Sequence, residues 1–573
     1  MKTTTDQIIK RPARKFVAEN LSIEGWDNLE PYYNQLLQRE LKSEGDLKQL
    51  LSDRSELDKI VEEEYRWRYV RQTCDTENKT YTDAYEKFLT DILPHLMKMA
   101  NELNKKIAGS PYFESLDARR FFIYKRSLKS ALELFREENI PLKQQEQLRM
   151  QEYGSTSGAM TIEHEGKEYT LQQAGKFLQY PDRELRRTIF EKINNRRLQD
   201  KDKLNALFTD LIQLRHQVAL NAGFSNYRDY KLAELGRFDY GVTECEQFHE
   251  SVKQTVVPLL DDLHKQKKEK LGVEVFRPYD ADVDPSGKPA LNPYHTEEEF
   301  IEKSIDCLNA VDPFFADCVS IMHNMHYLDL SSRKGKAPGG YNMEMPEIGV
   351  PFIFMNGAGT QRDVETMVHE AGHAVHSFLL RDLQYNFDQD ITSEIAELAS
   401  MSMELMTHDG LDKFYADEDK KRAVITHLQG IITALPWIAL IDKFQHWVYT
   451  HPNHSVEERE DKWLQLHVEF SSSVMNWNGY DHFRRIFWQK QLHLFEVPFY
   501  YIEYGIAQLG AIAVFRNYKN NKKEAIQNYK NALKLGYTRP LPELYKTAGV
   551  QFNFSKDYVQ ELMDFLKSEM GQA

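Results

Sequence analysis

A mostly α-helical protein is what this sequence predicts, and three observations predict it. Long polar stretches carry apolar residues at three- and four-residue steps, the repeat of one helix face. Segments that alternate with period two are few and short. The chain has 573 residues, 41% hydrophobic and 12% aromatic. That is too apolar for a disordered chain and too long for one ordinary core, so two or more domains, or one large mixed body, are expected.

Composition also excludes classes. Gly 27 and Pro 20 are low for this length, which removes collagen-like and low-complexity chains. The 73 basic and 88 acidic residues leave a net charge of −15. A phosphate backbone would need a long basic stripe, and the sequence has none, so no nucleic-acid partner is expected. Cys74, Cys245, Cys307 and Cys318 lie far apart with no CxxC spacing. They read as reduced thiols of a cytoplasmic protein.

From the N-terminus onward, Met1-Lys2-Thr3-Thr4-Thr5-Asp6 has no apolar run, so no secretory signal is expected. Helical spacing covers Asp83 to Ala108, with a kink or break expected at Pro94, and Asp182 to Arg197. Thr161 to Thr170 alternates and reads as a hairpin turning at Glu165-Gly166, with helix resuming from Leu171 to Leu178. A soft boundary near residue 200 separates charged helices from more apolar ones. A Pro-rich loop from Arg277 to Pro293 ends at Thr296, which with Glu299 forms a capping box for the next helix. A Gly-rich patch at Pro338-Gly339-Gly340-Tyr341 precedes Pro351 to Asn356, a short apolar strand placed to pair with an extended ligand. Gly430 to Ile441 is apolar but carries Thr433 and Pro436 and is stopped by Asp442. It is too short to span a membrane and reads as a buried core helix.

The chemistry concentrates between Thr360 and Leu380. Thr360 with Asp363 is an N-terminal capping pair. Behind it, Val364, Met367, Val368, Ala371, Val375, Phe378 and Leu379 form one apolar stripe. His369 and His373 fall opposite that stripe with Glu370 beside them, an H-E-x-x-H sequence on a helix. Two imidazoles one turn apart can share one metal ion, while the intervening Glu reaches the water on that metal. With 19 His among 573 residues, such a motif is expected by chance fewer than about 0.1 times. His376 lies about 10.5 Å along the axis from His369 at 1.5 Å per residue, too far to share the ion. A catalytic zinc takes a third protein ligand. Glu394, Glu397 and Glu404 share one face of the next helix, and spacing alone does not choose among them. Gly154-Ser155-Thr156-Ser157-Gly158 has Thr at its centre and does not meet the serine-hydrolase motif.

His369-Glu370-Ala371-Gly372-His373-Ala374-Val375-His376, followed by Ala396-Glu397-Leu398-Ala399-Ser400, resembles the thimet oligopeptidase and oligoendopeptidase F family of zinc metallopeptidases. Gly166 to Thr170 with Pro181-Asp182-Arg183, Gly223-Phe224 with Asn226-Tyr227, and Phe352 to Thr360 resemble the oligoendopeptidase F branch. The likeness runs from about Thr161 to Val550, the first 150 residues sharing only helicity. It implies a helical closed shell with a deep channel and a small β element beside the H-E-x-x-H helix. With the soft boundary near residue 200, a helical N-terminal domain over 1–200 and a zinc metallopeptidase catalytic domain over 201–573 are expected. One Zn²⁺ would be held by His369, His373 and Glu397, with Glu370 as general base and Glu404 behind a ligand histidine. His493, Tyr501 and Tyr504 would contact the scissile carbonyl. The substrates implied are short unfolded oligopeptides, with no nucleic-acid or membrane partner. A carboxydipeptidase of the same family and a catalytically silent peptide-binding shell are the alternatives.

Overall fold

The computed structural model describes residues 8–337 and 339–572, so the readings of Met1 to Asp6 and of Pro338 lie outside the described residues. The architecture is mostly α, as the helical spacing predicts. Five short strands are present among the described residues: β1 (Thr161–His164), β2 (Lys167–Thr170), β3 (Leu328–Ser331), β4 (Tyr341–Met343) and β5 (Phe352–Gly357).

The chain divides into two compact units, each built from three stretches. The first takes residues up to Leu132, Leu291–Val424 and Ala507–Phe552. Its long helix Glu44–Cys74 starts at Ser43, whose hydroxyl accepts the Asp46 N–H at 3.1 Å. Leu47, Leu50, Leu51, Leu57, Ile60 and Val61 recur at helical steps and are buried against Leu29, Leu36, Leu103 and Ile107. Further along, Trp67 and Val70 pack on the three-stranded sheet through Phe352 and Phe354. The chain from Lys79 to Ala108 does not break at Pro94. A wider π turn over Phe88–Ile92 joins helix Lys79–Lys87 to helix Leu93–Ala108, so the proline falls in a first turn, where its missing N–H costs nothing.

In that sheet the strand order is β3-β5-β4, with β5 parallel to β3 and antiparallel to β4. Phe352 to Met355 are buried, as an apolar run flanked on both sides requires. This corrects the expectation that Pro351 to Asn356 as a whole pairs with an extended ligand. Over Ile353 and Phe354 both edges of β5 are already paired, with β3 on one side and β4 on the other. At the loop before the sheet, Thr296 caps helix Glu297–Val311 as expected, but Glu299 reaches one residue further back, to the His295 N–H at 2.8 Å.

The second unit takes Glu133–Ala290, Ile425–Ile506 and residues from Asn553 on. The hairpin β1–β2 turns at Glu165 (φ 51°) and Gly166 (φ 72°), the pair of positive angles a two-residue turn needs. Asp182 caps helix Arg183–Gln199, within which Arg186 is buried. Gly154 to Gly158 lie inside helix Asn139–Gly158, so they form no exposed elbow. Gly430 to Ile441 belong to helix Asp417–Thr450, where Ile432, Leu435, Ala439 and Ile441 are fully buried. That helix is long and apolar enough by composition to cross a membrane, and half of its most apolar window is buried in protein. Asp442, expected to end the run, is itself 0% exposed.

Asp280 anchors this unit electrostatically. It is 0% exposed and takes Arg186 Nη2 and Arg183 Nη2, each at 2.8 Å, and the Arg277 N–H at 3.0 Å. Asp280→Ala leaves the buried Arg186 guanidinium uncompensated and is expected to cost about 3–5 kcal/mol. The urea midpoint should fall accordingly, and an unchanged midpoint would show that the pair does not carry this weight.

Candidate active site

Helix Gln361–Leu380 begins on the expected capping box. The Thr360 hydroxyl accepts the Asp363 N–H at 3.3 Å, and the Asp363 carboxylate accepts the Thr360 N–H at 2.7 Å. The same carboxylate takes the Ala358 N–H and the Tyr294 hydroxyl, each at 2.9 Å, so strand β5 hands directly into a fixed helix start. The apolar stripe is buried apart from Leu379, which is half-buried. The opposite face is not a solvent face. Glu370, Ala374, His376 and Ser377 are buried too, and only the His369 and His373 side opens partly. From the sheet, the Asn342 side-chain amide on β4 donates to the Glu370 backbone carbonyl at 3.1 Å.

Helix Ser393–Met406 packs against this one at Gly372. A Cβ there would stand 2.5 Å from Ser400 Cα and 2.8 Å from the Ala399 carbonyl oxygen. Two backbones can come this close only where one residue has no side chain. From the far side, the Tyr529 hydroxyl donates to the Ala399 carbonyl at 2.8 Å.

This approach separates the three glutamates that spacing left equivalent. The ligand atoms of His369, His373 and Glu397 all lie within 4.8 Å of one another. Glu397 Oε2 stands 3.4 Å from His369 Nε2 and 3.8 Å from His373 Nε2. The Ser400 hydroxyl donates to that same oxygen at 3.0 Å. Glu404 instead takes the other nitrogen, His369 Nδ1, at 2.6 Å, which turns Nε2 toward the cluster. Glu394 is buried but does not join the converging set. His376 is also outside it, 1% exposed, with burial lowering its pKa to about 3.

The electrostatics set the two carboxylates apart. Burial pushes Glu397 up, but the hydrogen bond from His369 and the nearby His373 outweigh it and hold Glu397 at about 2. Burial dominates at Glu370 and, against the lowering effect of His369 and with the charges of Glu397 and Glu404 adding to it, lifts its carboxyl to about 7. Burial also lowers His373 to about 4, while at His369 the two glutamates overcome burial and raise the imidazole. One acceptor-only carboxylate, two imidazoles and one carboxyl that exchanges its proton near neutral pH are therefore gathered on two helices.

His493, Tyr501 and Tyr504 come together with one another in the second unit. His493 lies on helix Leu492–Glu496, and its ring centroid is 4.8 Å from that of Tyr501 and 5.9 Å from that of Tyr504. Tyr500 joins them, 5.2 Å from Tyr504. Gln491 Nε2 donates to His493 Nδ1 at 2.7 Å and its Oε1 accepts Trp437 Nε1 at 2.9 Å, which orients the imidazole. Two buried arginines that the sequence did not mark hold the segment. Arg215, paired with Glu146 at 2.6 Å, donates to the carbonyls of Leu494 and Phe495. Arg237, paired with Glu503 at 2.8 Å, donates to the carbonyl of Phe499, a residue at φ 67°. Like Ser400 and Asn342, these are single polar residues in ordinary contexts. Their only mark in the sequence is a charge inside an apolar stretch.

The helical fold and a paired-histidine site define the class, and comparison with known proteins gives the family. Residues 176–564 match peptidase family M3, and residues 19–135 match the peptidase M3 N-terminal domain. The chain belongs to peptidase family M3. The second match extends the likeness into the first 150 residues, where the sequence had suggested helicity alone. Among curated relatives, the chain is 24% identical over 319 residues to the group B oligopeptidase PepB of Streptococcus agalactiae, covering 55% of this chain and 52% of that protein. It is 24% identical over 396 residues to the oligoendopeptidase F homolog of Borreliella burgdorferi, covering 66% of this chain and 62% of that one. The match thus spans about half to three fifths of the length of these relatives. A solved structure of PZ peptidase A with an inhibitor superposes with a TM-score of 0.89 at 27% identity, over 98% of this chain and 99% of that one. The expected kinship with oligoendopeptidase F is borne out.

Gly372→Ala tests the helix contact directly. The added methyl is expected to cost about 1–3 kcal/mol of stability, as overpacking does. It should also move Glu397 off the histidines, so that a divalent cation added to the variant is lost to a chelator faster than from the parent. Equal melting temperature and equal cation retention would show that the backbone contact is not what sets the cluster.

Proposed function

We propose that this protein is a zinc-dependent endopeptidase that hydrolyses short, unfolded oligopeptides. The convergence of His369, His373 and Glu397 within 4.8 Å is the observation that carries the proposal. Two imidazoles and one carboxylate are a donor set of catalytic zinc, which keeps one further position for water or substrate. Bound there, zinc would polarise the scissile carbonyl and lower the pKa of its water towards about 7.

The chain's own residues do the rest. Glu404 holds His369 Nδ1, fixing the tautomer that leaves Nε2 as ligand. Glu370, whose carboxyl is raised to about 7, takes the proton of the attacking water and passes it to the leaving amine. His493, Tyr501 and Tyr504 donate to the oxyanion as it develops, a role supported by their chemistry and by their clustering. Extended substrate adds to the outer edge of β4, which pairs with no strand among the described residues and is tied to Glu370 through Asn342. In sequence terms, the residues given roles here all lie within 201–573. A cytoplasmic location fits the four cysteines, none of which forms a disulfide.

Digestion of a mixed peptide pool, with and without chelator and read by mass spectrometry, should show internal cleavage of short peptides that the chelator stops. A folded protein in the same reaction should stay intact, and a C-terminally amidated peptide should still be cut. Protection by the amide would turn the assignment to a carboxydipeptidase, and a pool left whole would leave only a binding shell.

Two variants separate the roles. Glu370→Gln is expected to lower turnover about 10²–10⁴-fold while zinc content stays that of the parent. Glu397→Ala should lose the zinc itself. Loss of zinc in Glu370→Gln would contradict the general-base assignment.

A further inference from the structure

A second group of metal-ligand residues lies in the other unit, built from two helices. Cys245 and His249 stand one turn apart on helix Val242–Leu271, and Asp442 and His446 one turn apart on helix Asp417–Thr450. Cys245 and Asp442 are 0% exposed, His249 2% and His446 8%. The ligand atoms of Cys245, Asp442 and His446 lie within 4.8 Å of one another. Around them the surroundings are apolar. The Phe499 ring meets His446 edge-on at 5.4 Å, and a Cβ on Gly505 would strike the Phe248 ring at 2.4 Å.

Hydrogen bonding within the protein does not satisfy Asp442 and His446. His249 Nε2 and Asp442 Oδ2 are 2.7 Å apart. His446 Nε2 stands 3.2 Å from the same oxygen but without hydrogen-bond geometry. Asp442 Oδ1 and both His446 ring nitrogens are buried with no hydrogen-bond partner. The neighbouring Lys443 does not neutralise the carboxylate, because its ammonium pairs with Glu469 at 2.6 Å. A fully buried carboxylate with one oxygen unbonded, facing an unbonded imidazole and a thiol, carries a desolvation penalty that needs a compensating group.

We propose that Cys245, Asp442 and His446 form a structural site for a thiophilic divalent cation, zinc above all, that clamps these two helices together. Tetrahedral zinc with bonds of about 2.0–2.3 Å sets its ligands about 3.3–3.8 Å apart, within the spread of this group. On binding, the Cys245 thiol gives up its proton to solvent, and thiolate plus carboxylate balance the 2+ charge. His249 donates Nε2–H to Asp442 Oδ2, so that Oδ1 faces the cation, the part an outer hydrogen-bond partner plays around bound metal. With no solvent opening, the site suits a permanent clamp, not a catalyst. The proposal does not rest on the peptidase assignment, because no residue is shared.

Sulfur makes the test specific, since the His369, His373 and Glu397 set offers only nitrogen and oxygen. The full chain, purified from zinc-supplemented cells and freed of loose metal by gel filtration, is expected to hold two zinc ions. Its zinc-edge X-ray absorption should include a sulfur scatterer at about 2.3 Å. Cys245→Ser should lose the sulfur shell and one equivalent. His373→Ala should instead lose the other equivalent and keep the sulfur. A parent spectrum with nitrogen and oxygen neighbours alone would overturn the clamp whether or not the serine variant folds. Retention of the sulfur signal in the absence of any peptidase activity would support the clamp while sinking the enzyme assignment.

Discussion

The backbone contact between Gly372 and Ser400 is the constraint on which the candidate centre depends. A 2.5 Å separation from a hypothetical Cβ to Ser400 Cα leaves no room for any residue but glycine. Because the two helices touch there, one turn of the first presents two imidazoles and one turn of the second presents a carboxylate to the same point. The supports are laid around that contact. Asp363 fixes where the first helix begins, Asn342 ties the sheet to Glu370, and Tyr529 backs Ala399. Each is a side chain that bonds to backbone, so each fixes the main chain of one of the two helices.

Two glutamates a few ångströms from the same histidines end in opposite states, and the environment decides which. Glu397 has the imidazoles and a serine hydroxyl as partners, so the charged form wins despite burial. Glu370 points from the same turn into a buried site where other carboxylates stand near, so the neutral form is favoured until about pH 7. One residue type thereby supplies both a charged carboxylate and a carboxyl that stays neutral until about pH 7. The second unit applies the complementary device. There, buried arginines at 186, 215 and 237 take up carboxylates and chain carbonyls, and Arg215 and Arg237 hold the chain beside the His493 and tyrosine cluster.

Much of this was legible in the residues. Periods of 3.6 and 2 marked the helices and the β1–β2 hairpin, Thr360 with Asp363 marked the helix start, and His369 with His373 marked two imidazoles one turn apart on the same side of that helix. What local pattern could not carry was anything decided by contact between distant segments. Glu394, Glu397 and Glu404 share a helix face, and only the Gly372 approach distinguishes them. Phe352 to Asn356 reads as a strand, but its central place between β3 and β4 depends on partners elsewhere in the chain. Asp442 looks like the polar end of an apolar run, and it is buried because His249 and Cys245, some two hundred residues earlier, face it. Pro94 is a breaker by rule, yet a π turn absorbs it.

The most direct test of the central claim is a crystal structure of the purified chain with data collected on both sides of the zinc absorption edge. The account predicts an anomalous peak bonded to His369 Nε2, His373 Nε2 and a Glu397 oxygen at about 2.0–2.2 Å, with Glu370 beside it but outside bonding range. No peak at those three side chains in a zinc-loaded crystal, or a peak that takes Glu370 as a ligand in place of Glu397, would contradict it.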